Sequence, residues 1–372
     1  MRIFFVLILV LIAYCIGFCT EVKNADGPLQ GLWDFKLDRQ WTVNEAGTDA
    51  FTIIDDYKCS KEGVLYVMDR KMYKIFLFDK KGKFLSAFGK RGEGPGEFSN
   101  LRSLYLIGEY LIVVDDRNIH YFTPGGKYIK SVLNNHVEIS PVSFINPDKF
   151  ISKTSYAEFN NTTGKGMVAI NDLKKKEQIK LFEFPIWKKG TVTVQRVEGD
   201  VTHTTNFSYS VSNLTPQMIL YHHKNRIYFG INNEYKITVS GLDGKKLFHF
   251  TLERERKKVT AEYKDKIVSE FSFPNEVKKK IRKMLPDYLN YFEKIYVDKK
   301  GYIYVFATGE DKGNVKRIDI FSDKGKYLYT SKVEVEDEYT IKNIYLIGKI
   351  MYMNILRGED VLIAKYQIEI PK

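Results

Sequence analysis

Short apolar runs, rich in β-branched and aromatic residues, recur along the chain between polar turns. Six such runs begin at residues 65, 111, 149, 226, 302 and 350, with intervals of 46, 38, 77, 76 and 48 residues. Three of these intervals match the ~40–50 residues of a four-stranded propeller blade. The two wide intervals must therefore contain insertions or a degenerate blade.

A tight turn and another aromatic-rich strand follow most of these runs. The turns contain Gly82, Gly125, Gly244 and Gly325, and hairpin turns favour glycine because they require a positive φ. Strand, turn and strand recurring in this way predict antiparallel blades, not βαβ units. We therefore expect an all-β fold, a six-bladed β-propeller with a short helical insertion. Residues 35–43 are predicted to pair with the last blade and close the ring.

The first wide interval holds a polar stretch, residues 191–215, that is rich in Thr and Asn. This stretch has no clear apolar period, so it predicts a long loop or an extended hairpin on one face of the ring. Insertions on a rigid scaffold commonly carry binding function. The stretch is therefore one of two candidate binding segments.

The second wide interval carries the clearest helical pattern in the chain. Apolar residues at i, i+4, i+7 and i+8 form one stripe, namely Val277, Ile281, Met284 and Leu285. Pro274 suits the first helical position, and Pro286 ends the pattern. A shorter helix over residues 261–271, with Thr260 as its N-cap, is predicted before it. We expect the helical insertion to span about residues 254–286.

Several segments resemble a known group of propellers. Residues 63–69 and 75–82, with Asp69 at the end of a central strand, resemble the repeat of NHL-type propellers. Residues 286–305 resemble exported six-bladed propeller proteins of the bacterial cell envelope. This resemblance implies that Asp69 and its counterpart Asp115 accept hydrogen bonds from the adjoining turns.

A glycine-rich segment, residues 89–98, resembles the inter-blade linker of the same group. Its marker residues are Gly92, Gly94, Gly96 and Phe98. NHL linkers usually place a proline a few residues after the phenylalanine, whereas Leu101 and Arg102 stand here. The segment follows a strand but precedes no helical pattern, so it lacks the helix N-terminus of a phosphate-binding loop. We expect it to be structural, with Phe98 filling the next blade.

The charge is concentrated in the helical insertion. The formal net charge is +12, and residues 253–283 alone contain eleven Lys or Arg and six Asp or Glu. We expect the apolar stripe of Val277, Ile281 and Leu285 to pack on the propeller. The basic residues should then face outward and attract an anionic partner, and they are Lys278, Lys279, Lys280, Arg282 and Lys283. Alternatively, these helices merely cover a blade edge and keep their lysines in water.

A binding module is the first hypothesis for function, with a protein, peptide or glycan as the partner. The alternative is a metal-dependent propeller hydrolase or lyase, which requires inward Asp, Glu, Asn and His around Ca²⁺ or Zn²⁺. The six histidines lack metal-ligand spacing, and no G-x-S-x-G elbow occurs. No catalytic residue, cofactor or metal site is predicted. Nucleic acid is not an expected partner, because the basic residues lack interleaved aromatics.

The N-terminus predicts export. Arg2 precedes an uncharged run over residues 3–18, with small residues before a cleavage site at Thr20. A lipid-modified cysteine and an uncleaved anchor are the alternatives, and such an anchor would be the chain's contact with a membrane. The expected location is the periplasm, the cell envelope or the exterior. The predicted divisions are a signal peptide or anchor (1–19), a linker (20–34) and the propeller (35–372).

Overall fold

The structure is a computed structural model that describes residues 20–133, 140–160, 163–187, 190–198, 201–211, 214–308 and 313–369. The predicted signal segment, residues 1–19, lies outside this described part of the chain. Four short strands come first, namely β1 (Thr20–Asn24), β2 (Leu37–Val43), β3 (Glu45–Ala46) and β4 (Asp49–Ala50).

Three complete blades follow, each a four-stranded antiparallel sheet. Blade one contains β5 (Ile54–Cys59), β6 (Leu65–Asp69), β7 (Lys74–Phe78) and β8 (Phe84–Phe88). Blade two contains β9 (Leu101–Ile107), β10 (Tyr110–Asp115), β11 (Asn118–Phe122) and β12 (Tyr128–Leu133). Blade three contains β13 (Ser140–Asn146), β14 (Lys149–Asn160), β15 (Thr163–Asp172) and β16 (Glu177–Trp187).

The second half of the chain contains three more blades and the insertions. A hairpin of β17 (Gly190–Glu198) and β18 (Val201–Tyr209) precedes blade four, which contains β19 (Met218–His223), β20 (Arg226–Ile231), β21 (Lys236–Gly241) and β22 (Lys246–Leu252). Two helices follow, α1 (Ala261–Ser269) and α2 (Asn275–Met284). Blade five contains β23 (Phe292–Val297), β24 (Ile303–Ala307), β25 (Val315–Phe321) and β26 (Tyr327–Glu334). Blade six contains β27 (Tyr339–Ile347), β28 (Ile350–Arg357) and β29 (Asp360–Ile368).

The six blades form a propeller around a central channel. The first strands of neighbouring blades contact one another from β5 through β9, β13 and β19 to β23. Hydrogen bonds to Asn343 of β27, from Tyr57 of β5 (3.0 Å) and Lys294 of β23 (2.8 Å), complete the ring. The predicted central runs fall on the second strand of every blade, where the side chains are largely buried. The predicted fold class is therefore confirmed.

The ring is closed by a strand that precedes the first complete blade. Strand β2 pairs antiparallel with β29 and supplies the fourth strand of blade six, in a register that aligns Leu37 with Ile368 and Val43 with Ile363. The predicted closure is confirmed. A blade built from both ends of the chain ties these ends together and covers a strand edge that would otherwise be open.

Residues 20–34 are not the linker that we expected from the sequence. Strand β1 adds to blade four, parallel to β22. The Asn24 amide donates to Thr251 O (2.9 Å) and Gly325 O (3.0 Å), and its oxygen accepts from Tyr327 N (2.9 Å). Further on, Trp33 is buried in the core between blades five and six. Hydrogen bonds and aromatic burial thus hold this segment on the outer strands of blades four and five.

The turn glycines agree with the prediction except in blade two. Gly82, Gly244 and Gly325 have positive φ, but in blade two Gly126 (φ 86°) takes this conformation and Gly125 does not. A side chain at Gly126 would also meet the Phe88 ring at 2.5 Å. The turn itself lies at residues 123–127 as predicted, where Thr123 N donates to Lys127 O at 2.9 Å, and the packing of Phe88 demands a residue without Cβ at Gly126.

The glycine-rich linker has the structural role predicted for it. Gly94 N donates to the Glu97 carboxylate at 2.9 Å, which folds the segment containing Gly92 and Gly96 into a tight turn. Phe98 is fully buried in the core shared by blades one and two, and it contacts the His120 ring edge to face. Within the described part of the chain, no helix is long and apolar enough to cross a membrane.

Candidate functional site

The two candidate binding segments form one body. The polar stretch is an extended hairpin, β17–β18, as predicted, and it packs against the two helices. Val192 and Val194 of β17 share a core with Val277 and Ile281 of α2 and with Leu285, which caps the end of this helix. We name the hairpin and helices, residues 190–209 and 261–284, the insertion body. A two-stranded hairpin cannot bury an apolar face alone, and the helices cover that face.

This packing corrects the expectation that the α2 stripe packs on the blades, because much of its contact is with the hairpin. The helix boundaries are close to those predicted. The Thr260 hydroxyl caps α1 by accepting from Tyr263 N at 3.1 Å, whereas Pro274 is the N-cap of α2 and not its first helical residue.

The predicted basic residues divide into two groups. Lys279, Lys280 and Lys283 are exposed, as expected. Arg282 is half-buried and donates to Asp265 of α1 at 2.5 and 3.1 Å, which lowers the pKa of that carboxyl. Lys278 is also half-buried, and it donates to Ser269 O at 3.4 Å. Three of the five basic residues that we expected to contact a partner therefore face solvent, and the other two help join the helices.

A cleft of about 790 Å³ lies between α1, the segment that precedes it, and blade five. Its volume falls in the ~300–1,000 Å³ range of ligand sites. The charged side chains that line it are Arg254, Lys257, Lys266, Arg317, Lys332, Glu255 and Glu262. Lys278, Lys279, Lys280, Arg282 and Lys283 are not among the lining residues.

The base of the cleft is held by a buried ion pair. Arg254 donates to the fully buried Asp319 at 2.6 and 3.3 Å and to Asp26 at 2.6 Å. Tyr235 and Tyr327 each donate to Asp319 at 2.8 Å. Burial alone lowers the pKa of Arg254, but the hydrogen bonds and charge of Asp319 outweigh it and raise that pKa. Arg254 is therefore a fixed structural cation.

The rim of the cleft carries the other charged side chains that line it. Asp319 and Asp26 offset Arg254 and Arg317, which they contact. The remaining charges are Lys257, Lys266 and Lys332 against Glu255 and Glu262, a modest positive excess.

Two polar atoms in the cleft wall have no hydrogen-bond partner among the residues that the structure describes. Asn314 is 3% exposed and Thr308 is 8% exposed, yet Asn314 Oδ1 and Thr308 Oγ1 accept no hydrogen bond within the described residues. Buried polar atoms are nearly always paired, so each unpaired one calls for a physical explanation, such as a bound water. The Asn314 amide nitrogen is held by Val335 O (3.3 Å) and Asp337 (2.9 Å), which fixes the side chain.

Sequence reasoning missed these residues. Thr308 directly follows the second strand of blade five. Asp69 and Asp115 are the last residues of the second strands of blades one and two. A polar residue at the end of a second strand is the sequence signal that Thr308 shares with Asp69 and Asp115.

Asp69 and Asp115 make the turn contacts that the resemblance implies for them. Asp69 accepts from Thr52 N (2.6 Å), Ile53 N (3.1 Å) and Met72 N (3.1 Å). Asp115 accepts from three backbone N–H groups and from His120 Nε2 (3.1 Å). Among the described residues, no group of three or more His, Cys, Asp or Glu is placed to hold a metal ion.

Comparison with known proteins places the fold. A family model described as a 6-bladed beta-propeller, DUF5128, matches residues 49–342. No curated protein matches the sequence. A DUF4221 member from Bacteroides vulgatus is similar in structure, with a TM-score of 0.57 at 11% identity over 90% of this chain and 99% of the other. A predicted exported protein from Bacteroides fragilis has a TM-score of 0.54 at 12% identity, and the match covers 95% of this chain and 100% of that protein. At these identities the likeness shows the fold alone.

Proposed function

We propose that this chain, which belongs to the DUF5128 family of six-bladed β-propellers, is a binding module. Its partner is a protein, peptide or glycan segment held in the cleft between the insertion body and blade five. The observation that carries the proposal is the cleft of about 790 Å³ itself, which is lined by charged side chains from both of its walls, such as Lys266 of α1 and Lys332 of blade five.

The construction of the cleft supports this proposal. One wall is a rigid blade, and the other is a body with its own apolar core. Rigid walls reduce the ordering cost of binding, because little has to move when the partner enters. The polar and charged side chains that line the cleft favour a partner that carries hydrogen-bonding groups, as peptides and glycans both do.

An anionic partner is favoured by the surrounding charge. The rim lysines and the exposed row of Lys279, Lys280 and Lys283 give this side of the molecule a basic surface. Such a surface speeds the encounter with an anionic partner. At physiological ionic strength, salt screens this attraction beyond about 8–10 Å.

The proposal includes export to the cell envelope, periplasm or exterior. It is supported by the apolar run of residues 3–18 after Arg2 and by the description of the Bacteroides fragilis neighbour as a predicted exported protein. N-terminal sequencing of the protein from fractionated cells is expected to begin near Thr20. An intact Met1 in the soluble cytoplasmic fraction would contradict export.

The NHL-type resemblance remains part of the proposal. It is supported by the turn contacts of Asp69 and Asp115 and by the buried position of Phe98.

Two matched variants test the cleft. One replaces Lys257, Lys266 and Lys332 with Gln, and the other replaces Lys279, Lys280 and Lys283 with Gln, so both lose the same charge. The probes are a labelled oligoglutamate peptide and a sulfated oligosaccharide, each with a neutral counterpart, and binding is followed by fluorescence anisotropy at low salt.

We expect at least one anionic probe to bind, and we expect the cleft variant to weaken it by about tenfold, since it removes several charge-assisted contacts. The helix variant should weaken it by less than about threefold, as expected for screened surface charges. Loss confined to the helix variant would move the site to α2. Equal losses of affinity in the two variants would mean that the probe responds to the overall charge of the protein and not to the cleft. No binding of either anionic probe would contradict an anionic partner.

A further inference from the structure

The channel on the propeller axis is a second cavity, separate from the cleft. It has a volume of about 370 Å³ and is lined by residues of the first strands of all six blades. Such a volume suits a small ligand of about the size of one sugar ring, since ligand pockets start at ~300 Å³. The cavity shares no lining residue with the cleft.

Tyrosines of the channel wall fall into two classes. Tyr57 donates to Asn343 O (3.0 Å) and Tyr105 to Pro141 O (2.6 Å), so their hydroxyls are used by the fold. Tyr221, Tyr296 and Tyr345 line the same cavity, and within the described residues their hydroxyls have no hydrogen-bond partner. Three hydroxyls that can each donate and accept are therefore available to a ligand.

These hydroxyls stay protonated over the physiological range. Burial raises the pKa of Tyr296 to about 12 and raises the pKa values of Tyr221 and Tyr345 further. Tyr221 and Tyr296 contact each other edge to face, with ring centroids 5.5 Å apart. A ligand in the channel would therefore meet aromatic faces as well as polar edges.

The channel also carries a net positive charge. Lys58 pairs with Asp56, and its ammonium lies 5.7 Å from the Tyr345 ring centroid. Lys294 donates to Asn343 Oδ1 at 2.8 Å and to Ile344 O. Two ammonium groups therefore face one carboxylate. Burial lowers the pKa of His222, which favours its neutral form, and its Nδ1 lies 3.0 Å from Ser143 Oγ.

We propose that the channel is a binding site for a small monoanion that carries hydroxyl groups, a sugar acid or the acidic terminal residue of a glycan. The single excess positive charge matches one carboxylate. The three free tyrosine hydroxyls match the hydroxyls of the ligand, and the aromatic faces match the C–H face of a sugar ring. A neutral sugar would leave the excess charge uncompensated in a site poorly screened by water.

Binding is expected to depend on pH through Lys294. Burial and the nearby Lys58 lower the pKa of its ammonium to about 8, Asp56 and Glu293 act to raise it, and Lys316 acts to lower it. A bound carboxylate stabilises the charged form, so affinity is highest below this pKa and falls as the pH rises above it.

Isothermal titration of the full chain tests the site with D-galacturonate, its neutral counterpart D-galactose, and trigalacturonate. The test variant is Tyr221→Phe combined with Tyr296→Phe, which keeps both rings and removes two free hydroxyls. Tyr105→Phe is the matched control within the channel, because its hydroxyl is already bonded to the wall. The variant of Lys257, Lys266 and Lys332 controls for the cleft.

We expect D-galacturonate to bind at least about tenfold more tightly than D-galactose, and the double variant to weaken it by about tenfold, as the loss of two hydrogen bonds implies. Tyr105→Phe and the cleft variant should bind within about twofold of wild type. Affinity should fall between about pH 7 and pH 9.5. Tighter binding of the trimer would identify a glycan end, and equal or weaker binding would identify the free acid.

No binding of D-galacturonate at millimolar concentration would overturn the proposal. Equal binding of D-galactose, or an unchanged affinity of the double variant, would overturn it as well. Thermal melting of each variant separates these outcomes from a loss of fold. Because the cleft variant is tested in parallel, failure of the channel site does not count against the cleft.

Discussion

Replacement of Asp115 by Asn tests the assignment of this carboxylate as an anchor of the inter-blade turn. Asp115 is 2% exposed and accepts from Ser99 N (2.9 Å), Arg117 N (2.8 Å) and Asn118 N (2.6 Å), as well as from His120. An asparagine presents an NH₂ group to two of these donors. At least two charge-assisted hydrogen bonds are lost, and their donors remain buried.

The magnitude follows from the pKa of Asp115. Burial alone raises this pKa, but hydrogen bonds from His120 and three backbone N–H groups outweigh burial and lower it from 3.8 to about 2. At about 1.4 kcal/mol per pKa unit, the ionised form stabilises the fold by about 2 kcal/mol relative to the protonated form. With the unpaired donors added, we expect the variant to lose about 3 kcal/mol at neutral pH.

The sign of the pH dependence follows from the lowered pKa. The stabilisation is complete above the unfolded-state pKa and is lost as the pH falls through about 4 to 2. The wild type should therefore lose about 1 kcal/mol of this contribution by pH 3, while the variant cannot lose it. The difference in the free energy of unfolding between the two proteins should narrow by that amount.

Urea denaturation at about pH 7 and pH 3 measures both quantities. Asp79→Asn is the matched control, because Asp79 caps an exposed turn through Lys81 N and Lys83 N, and we expect it to have a much smaller effect. A loss below about 1 kcal/mol in the Asp115 variant, or a difference that does not change with pH, would refute the reasoning.

Three further changes test other contacts. Arg254→Met leaves the fully buried Asp319 without its main cation, so it should lower the free energy of unfolding by about 3–5 kcal/mol in urea; a loss under about 1 kcal/mol would contradict this. Asn24→Ala removes three hydrogen bonds between β1 and blades four and five, and a loss of about 1–3 kcal/mol is expected; an unchanged stability would mean that β1 is dispensable. Burial raises the pKa of the Cys59 thiol, so its reaction with a thiol-specific disulfide reagent at pH 8 should be slow and should accelerate in urea; equal rates would contradict its burial.

The propeller was predictable because each blade repeats a local pattern of apolar strands and polar turns. The second strand of each blade is apolar on both faces, so a run such as residues 65–68 stands out from its polar turns. Closure by residues 37–43 was predictable because a strand that precedes the first complete blade has to pair with the last one.

The remaining features depend on contacts between distant residues. Strand β1 has a short polar sequence, and its position is set by Asn24 bonding to residues more than 200 positions away. The shared core of the insertion body joins Val192 to Val277, which no local period can reveal. The cleft and channel are made by polar residues such as Asn314 and Tyr221, which become a site only when the ring brings them together.

The cleft can be tested most directly by filling it. Ala307 is half-buried at the end of β24 and lines the cleft, whereas Ala87 is exposed on the outer strand of blade one. Ala307→Trp places an indole where the partner is proposed to lie, and Ala87→Trp is the matched control. Binding of the anionic probes is measured for both, alongside their thermal melting. We expect Ala307→Trp to bind at least about tenfold more weakly than wild type and Ala87→Trp to bind as wild type does. Wild-type affinity in a folded Ala307→Trp protein would contradict the cleft as the binding site.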